Sequence, residues 1–421
     1  MPKRTGAILL AAFAAIFLAL NAGAYRGYFQ DDEIDNLSWT SLLPTTDFIK
    51  GALNPLYFPN NFRPLGHFYF HALERFAGLE FPAYVAVLQT IHLLNVWLLW
   101  TLMRRLGAPT LAASAACCFF GLHMALFDNF WKPMYVFDVL CATFCLATIL
   151  LWRERRWILS FVAFWLAYKC KELAVMLPLV LLACEWWYGK RRWTVLLPFF
   201  AVSLSFGLQS MLRNPNAGND YTFRFTAAAV ARTLPFYAGR IFLIPWLGFA
   251  AAGLAIVARD RRTWFGLVMA MLFFLPLLFL PGRVFSAYCY LPFTGLAIAL
   301  SGVSAPAMIA ALVLWMPMNI HELRVRSHET LARDTAIRAW MDAVERFADS
   351  HQKVDAFVYS GAPEGFQRWG IEGALKYFYS RTELVVRWIE DPGARDLMAR
   401  GHVALIEWNG RQAAVTLLGS P

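Results

Sequence analysis

The chain has 421 residues, of which 59% are hydrophobic, 16% aromatic and only 16% charged. Soluble domains carry about a quarter charged residues, so this composition excludes an ordinary soluble enzyme and indicates a membrane protein. The net charge of +10 falls in short basic clusters between apolar runs rather than along one exposed face, which favours membrane orientation over nucleic-acid binding.

The first element is the apolar run from Ala7 to Ala24, about eighteen residues behind Lys3 and Arg4 and long enough to span a bilayer. A basic start, an apolar core and "NAGA" also fit a cleaved signal peptide. A retained first helix is expected here because the rest of the chain is polytopic. Further apolar runs near 83–103, 110–127, 134–152, 157–170, 173–188, 194–212, 237–257, 264–281, 287–302 and 305–320 bring the expected total to about eleven. Basic clusters at Arg104–Arg105, Arg153–Arg156, Lys190–Arg192 and Arg259–Arg262 follow every second run, as the positive-inside bias requires. The intervening loops, among them the acidic loop 25–82 and the loop 213–236, are then expected outside. That places a multi-pass chain in a bacterial-type inner membrane with its site facing the periplasm.

After residue 320 the composition changes. "HELRVRSHETLARDTAIRAWMDAVERFADSHQ" has helical spacing; "KVDAFVYSG", "ELVVRWIE", "HVALIEW" and "AAVTLL" read as strands, with a helix-like "GFQRWGIEGALKYFYS" between them. The expected fold is therefore mostly α: a membrane helix bundle over 1–320 followed by a small soluble α/β domain over 321–421, on the outer side if the span count is odd.

Polar residues at the outer loops carry the candidate chemistry. Asp31, Asp32 and Glu33 in "FQDDEIDNLSW" follow the first span directly, and a solvated acidic loop at a helix exit is the plain reading. Ionisable groups at a membrane boundary are costly to keep, which favours a site. One carboxylate can accept a proton from an attacking hydroxyl while Asp31 and Asp32 hold an optional divalent cation, Mg²⁺ or Mn²⁺. Arg63 precedes Pro64, so its backbone is extended; it either grips a phosphate bidentately or anchors at headgroups.

His92 and Asn95 share one face of an apolar helix and read as packing groups. Asp128, Lys132 and Asp138 can pair among themselves, and Lys171, next to Glu172, can snorkel. Arg283 arrives with Tyr288 and Tyr290. Jointly these groups would surround one outward cavity whose cations suit a lipid-linked phosphate. The seven cysteines, without CxxC pairs, read as small buried hydrophobes. No GxGxxG, Walker, GxSxG or HExxH pattern serves a site, so no nucleotide cofactor is expected.

The ordered stretches "FQDDEIDNL", "FRPLGHFYFHALERFAGLEF", "FGLHMALFDNFWKPMYVFD", "KCKELAVMLP" and "GRVFSAYCYLP" resemble the landmarks of the GT-C superfamily, nearest the protein O-mannosyltransferase and transmembrane-and-tetratricopeptide mannosyltransferase branch. The resemblance covers about residues 5 to 300. It implies a membrane glycosyltransferase taking a sugar, mannose in that branch, from a polyprenyl-phosphate donor to a protein, glycan or lipid acceptor. Asp31 and Asp32 match the family's acidic pair, with Glu33 as a partner; Arg63, Lys171, Glu172, Arg283, Tyr288 and Tyr290 match its substrate-binding landmarks. Where members often have "HP", this chain has His123–Met124 and a later Lys132–Pro133, and it lacks tetratricopeptide periodicity. A flippase for a lipid-linked saccharide and a noncatalytic assembly protein are the competing readings. Paired broken helices in internal repeats would mark the flippase, and dispensable aspartates the assembly protein.

Overall fold

Inside lipid every peptide N–H and C=O must be paired, so apolar runs become helices. A computed structural model describes residues 3–56, 58, 61–213, 218–257, 260–399 and 401–419; Arg259 and residues 214–217 of the loop 213–236 lie outside them. The mostly helical chain divides into two compact units. Met1–Ala22, Ile49–Gly66 and Ala86–Arg324 form the first, and Gly23–Phe48, His67–Val85 and Val325–Pro421 form the second.

Among the described residues four helices are long and apolar enough to cross a membrane: Phe81–Arg105, Pro133–Arg153, Trp193–Arg213 and Arg261–Leu278. The number rises to six if each of two bent pairs is one span, with Gly6–Leu20, Trp157–Cys170 and Ser286–Leu300 as shorter apolar helices. Helix length and composition alone therefore do not reach the expected total of about eleven.

Two expected straight spans, 110–127 and 237–257, are broken. Thr110–Gly121 bends by 43° into Met124–Trp131, and Ala227–Phe242 by 82° into Leu247–Ile256. Backbone groups released at such breaks need partners. At the first break Asn319 supplies both: its Oδ1 accepts from Met124 N at 2.9 Å and its Nδ2 donates to Leu122 O at 2.6 Å. At the second, Leu243 and Trp246 take left-handed backbone (φ 61° and 65°) on either side of Pro245. His123 Nε2 and Trp315 Nε1 then donate to the carbonyls of Ile241 and Phe242, at 2.9 and 3.1 Å. The composition change at residue 320 falls inside a single helix, Ala305–Ser350, which contains Pro317.

In the second unit, strands β1 (Ala356–Ser360), β2 (Val385–Trp388), β3 (Val403–Trp408) and β4 (Ala413–Leu418) form one sheet in the order β2-β1-β3-β4. β1 is parallel to β2 and β3, and β4 is antiparallel to β3. Parallel neighbours need crossovers. The helix Arg368–Tyr379 lies between β1 and β2, and Ala394–Ala399 between β2 and β3, where Ala394, Leu397 and Met398 pack on Ala356, Val358 and Val403.

The same unit holds the acidic stretch, which is a helix, Asp31–Thr40, with Asp31, Asp32 and Glu33 in its first turn. Carboxylates there face the positive end of the helix dipole, which offsets their mutual repulsion. This acidic helix lies directly on Arg368–Tyr379, and two glycines permit the approach. A Cβ on Gly373 would fall 2.8 Å from Asp35 Cα, and one on Gly370 2.9 Å from Asp31 Cα. At Gly373 every close obstacle is backbone, whereas at Gly370 the side chains of Asp31 and Phe366 come closer still, at 2.6 and 2.7 Å. Gly373→Ala is therefore expected to destabilise the helix pair by about 1–3 kcal/mol through overpacking, despite alanine's better helix propensity. Thermal unfolding in detergent measures it.

Candidate active site

Gln30 and Glu33 form a reciprocal capping box at the start of the acidic helix, Glu33 Oε2 accepting from Gln30 N at 2.9 Å. Glu33 is buried in this cap. The helix Ala305–Ser350 clamps the residues leading in. Asp334 accepts from Tyr28 N at 3.0 Å and from Gln30 Nε2 at 2.6 Å, Arg333 donates to Gln30 Oε1, and Arg338 Nη2 donates to Gly27 O at 2.9 Å.

Asp31 and Asp32 have different partners. Asp31 Oδ1 accepts from Gln367 N at 2.6 Å, and Gln367 is the N-cap residue of Arg368–Tyr379. The Asp31 carboxylate thus satisfies an orphan N–H at the terminus of the neighbouring helix. Asp32 Oδ1 accepts instead from the indole Nε1 of Trp369 at 2.9 Å, a side chain that is 49% exposed. Burial raises the Asp31 pKa above the usual carboxylate value, with the Gln367 N–H opposing. Nothing in the sequence singled out Gln367, Trp369, Asp334 or the two glycines; the one signal was the short glycine spacing in "RWGIEG".

Asp35, one turn further along, is pushed up to about 6, by burial first and then by the Asp32 charge, against the pull of Lys376. Its folded value exceeds its unfolded one, so the folded state holds the proton more tightly. The resulting stability is complete below about pH 4 and is lost as pH rises through about 6, an expected fall of about 2–3 kcal/mol. Melting temperatures between pH 4 and 7 should show this decline in the native chain, and Asp35→Asn should flatten it.

In the first unit, four of the expected substrate-binding residues converge. Arg63 forms a bidentate pair with Glu172, at 2.9 and 3.0 Å, although the two stand 109 residues apart. Lys171 Nζ lies 2.6 Å from both carboxylate oxygens of Asp138 and 4.4 Å from the centre of the Tyr288 ring. Asp138 and Tyr288 are close enough to act electrostatically on Arg63. Lys171 is therefore not a snorkelling side chain, and Asp138 pairs with it rather than with Lys132.

Two ion pairs cancel, so an anion gains from this cluster only by displacing a carboxylate. Lys169, which the sequence reading passed over in "YKCKEL", supplies a further positive charge. It is buried, its Nζ donating to Asn54 O at 2.5 Å among the rings of Phe58, Trp165 and Phe206 at 4.9–5.4 Å. Lys169, Arg63 and Glu172 border one cavity of about 20 Å³.

The other expected residues lie in different surroundings. Lys132 pairs with Asp128 at 2.9 Å one helical turn back. Arg283 stacks on Tyr221 and Phe285, at 4.3 and 4.8 Å from the ring centres. Tyr290 is fully buried, its hydroxyl 2.7 Å from His92 Nδ1 and 3.1 Å from Asn95 Nδ2. These bonds join the helix Tyr290–Leu300 to Phe81–Arg105. His92 and Asn95 take the packing role, also bonding Gly121 O and Val139 O.

A hard divalent cation needs about six oxygen ligands. Asp31 and Asp32 each have one oxygen engaged, and among the described residues no three His, Cys, Asp or Glu side chains converge. The residues present do not make a metal site on their own, and no step below uses one.

The chain matches no protein-family model and no curated protein. Its structure is similar to the arabinofuranosyltransferase AftD from Mycobacteria, with TM-score 0.51 and 16% identity over 98% of this chain. The chain spans 35% of that enzyme's length. It is also similar to ArnT from Cupriavidus metallidurans bound to undecaprenyl phosphate, with TM-score 0.50 and 12% identity over 100% of both chains. At such identities the shared property is architecture: this chain has the fold seen in AftD and ArnT.

Proposed function

We propose that the chain is a multi-pass membrane glycosyltransferase that moves a sugar from a polyprenyl-phosphate carrier to an acceptor hydroxyl at the outer face of a bacterial-type inner membrane. The observation that carries this reading is the acidic pair Asp31–Asp32, fixed by dedicated partners on a chain whose fold is similar to those of AftD and ArnT. The undecaprenyl phosphate bound in the ArnT structure supports a carrier of that chemistry.

In this reading Asp32 is the general base. Asp31 is committed to a helix terminus, whereas Asp32 has one oxygen held by an exposed indole. It takes the proton of the acceptor hydroxyl as that oxygen attacks the anomeric carbon; the sugar–phosphate bond breaks on the opposite face, and its electron pair leaves with the carrier phosphate. The anomer inverts. Within the first unit, Arg63, Lys169 and Lys171 are the cations suited to a carrier phosphate and to the charge it gains, the first paired with Glu172 and the last with Asp138. Lys132, Arg283 and Tyr288 stay candidates for donor contact. The acceptor class (protein, glycan or lipid) and mannose as the sugar, from the O-mannosyltransferase branch, belong to the same proposal.

The test is incubation of purified protein with polyprenyl-phosphate-linked sugars and each acceptor class, following sugar transfer and release of polyprenyl phosphate. Transfer to one acceptor class is expected. Movement of the intact lipid-linked sugar across vesicles without bond cleavage would instead identify a flippase.

A further inference from the structure

The helix Trp157–Cys170 leads at its carboxy-terminal end to Lys171 and Glu172, and at its start to a second concave site that the transfer reaction does not use. This is a cavity of about 360 Å³, within the size range of small-ligand pockets, bordered by Arg153, Arg155, Trp157, Tyr188, Lys190 and Arg192. The acidic residue in its lining, Glu185, is buried and folds the turn. The Glu185 carboxylate accepts from Trp152 Nε1 at 3.2 Å, Lys190 N at 2.7 Å and Arg192 N at 3.1 Å. Glu154 pairs elsewhere, with Arg105 and with Arg156. Among the described residues no carboxylate pairs with the four cations of the cavity.

Three further features give this site a built character beyond a basic loop. Arg153 Nη1 donates to Tyr188 O at 2.6 Å with its guanidinium 5.2 Å from that ring, and Arg192 lies 5.6 Å from the Trp157 ring. Arg153 Nε is buried without a partner. Arg155 and Arg191 both hold left-handed backbone, φ 61° and 59°, an uncommon conformation for a residue with a side chain. Beside the cations, Ile158, Leu159 and Leu197 are 82%, 50% and 63% exposed, and Trp186 and Trp193 lie in the same turn region. Apolar side chains facing outward next to a cationic hollow match a molecule that is anionic at one end and aliphatic at the other.

We infer that this cavity binds the phosphodiester headgroup of an anionic phospholipid, whose acyl chains lie along Ile158, Leu159 and Leu197. A soluble phosphate would use the cations but not the apolar flank. The site is independent of the proposed transfer reaction.

The experiment is native mass spectrometry of the full chain with phosphatidylglycerol, phosphatidylcholine and glycerol 3-phosphate offered separately. The exposed residues are then replaced together as Arg155→Ala, Lys190→Ala and Arg192→Ala. The native chain is expected to retain phosphatidylglycerol in preference to phosphatidylcholine. Three juxtamembrane cations at roughly fivefold each predict a loss of that preference of about a hundredfold in the triple variant, with an unchanged melting temperature in lipid-free detergent. Equal retention of the two lipids by the native chain, or an undiminished preference in a folded triple variant, would overturn the inference. Displacement of bound phosphatidylglycerol by millimolar glycerol 3-phosphate would overturn it too, identifying a soluble phosphate as the ligand. Should the triple variant unfold, Arg192→Glu alone decides: it must lower phosphatidylglycerol retention and leave phosphatidylcholine unaffected.

Discussion

Asp32→Asn is expected to lower sugar transfer by about a thousandfold while leaving the melting temperature within a degree or two. A positioned general base contributes about 10²–10⁴ in rate, and asparagine removes the base without removing the group. The amide oxygen can still accept from Trp369 Nε1, so the contact with the neighbouring helix survives. Asp31→Asn should behave in the opposite way. It weakens a charged acceptor at a helix terminus, at a cost of about 1–2 kcal/mol, and keeps most of the transfer rate. Initial rates and thermal unfolding on the same preparations separate the two aspartates. A rate loss confined to Asp31→Asn would exchange their roles, and full transfer by the doubly substituted chain would remove both from the chemistry.

The second large effect is expected at Asp138. Its side chain is 6% exposed and that of Lys171 16%, and both Asp138 oxygens lie 2.6 Å from the ammonium. Removing one member of such a pair leaves an uncompensated charge, which costs about 3–5 kcal/mol, whereas removing both is often nearly neutral. Asp138→Asn should therefore destabilise the chain by about 3 kcal/mol, and adding Lys171→Met should restore most of it. Thermal or denaturant unfolding in detergent is the measurement. Recovery of stability without recovery of transfer would assign Lys171 to the reaction, since packing alone would be repaired by the double change. An Asp138→Asn chain as stable as the native one would show that the pair is solvated.

Because composition and periodicity are sums over neighbouring residues, the sequence by itself determined the membrane class, the helical character and the strand segments at 356–360, 385–388, 403–408 and 413–418. The acidic residues, expected in a loop, are instead the first turn of the helix Asp31–Thr40. Tertiary structure alone decided the partners. Asp31 and Asp32 are held by residues 336 and 337 positions further on, and Lys171 takes Asp138 where local spacing offered Asp138 to Lys132. The breaks in the two bent spans likewise depend on Asn319, His123 and Trp315. The physical reason is common to all of these: a buried charge or peptide group must be satisfied by whatever lies nearest in space, and folding sets that distance independently of separation along the chain.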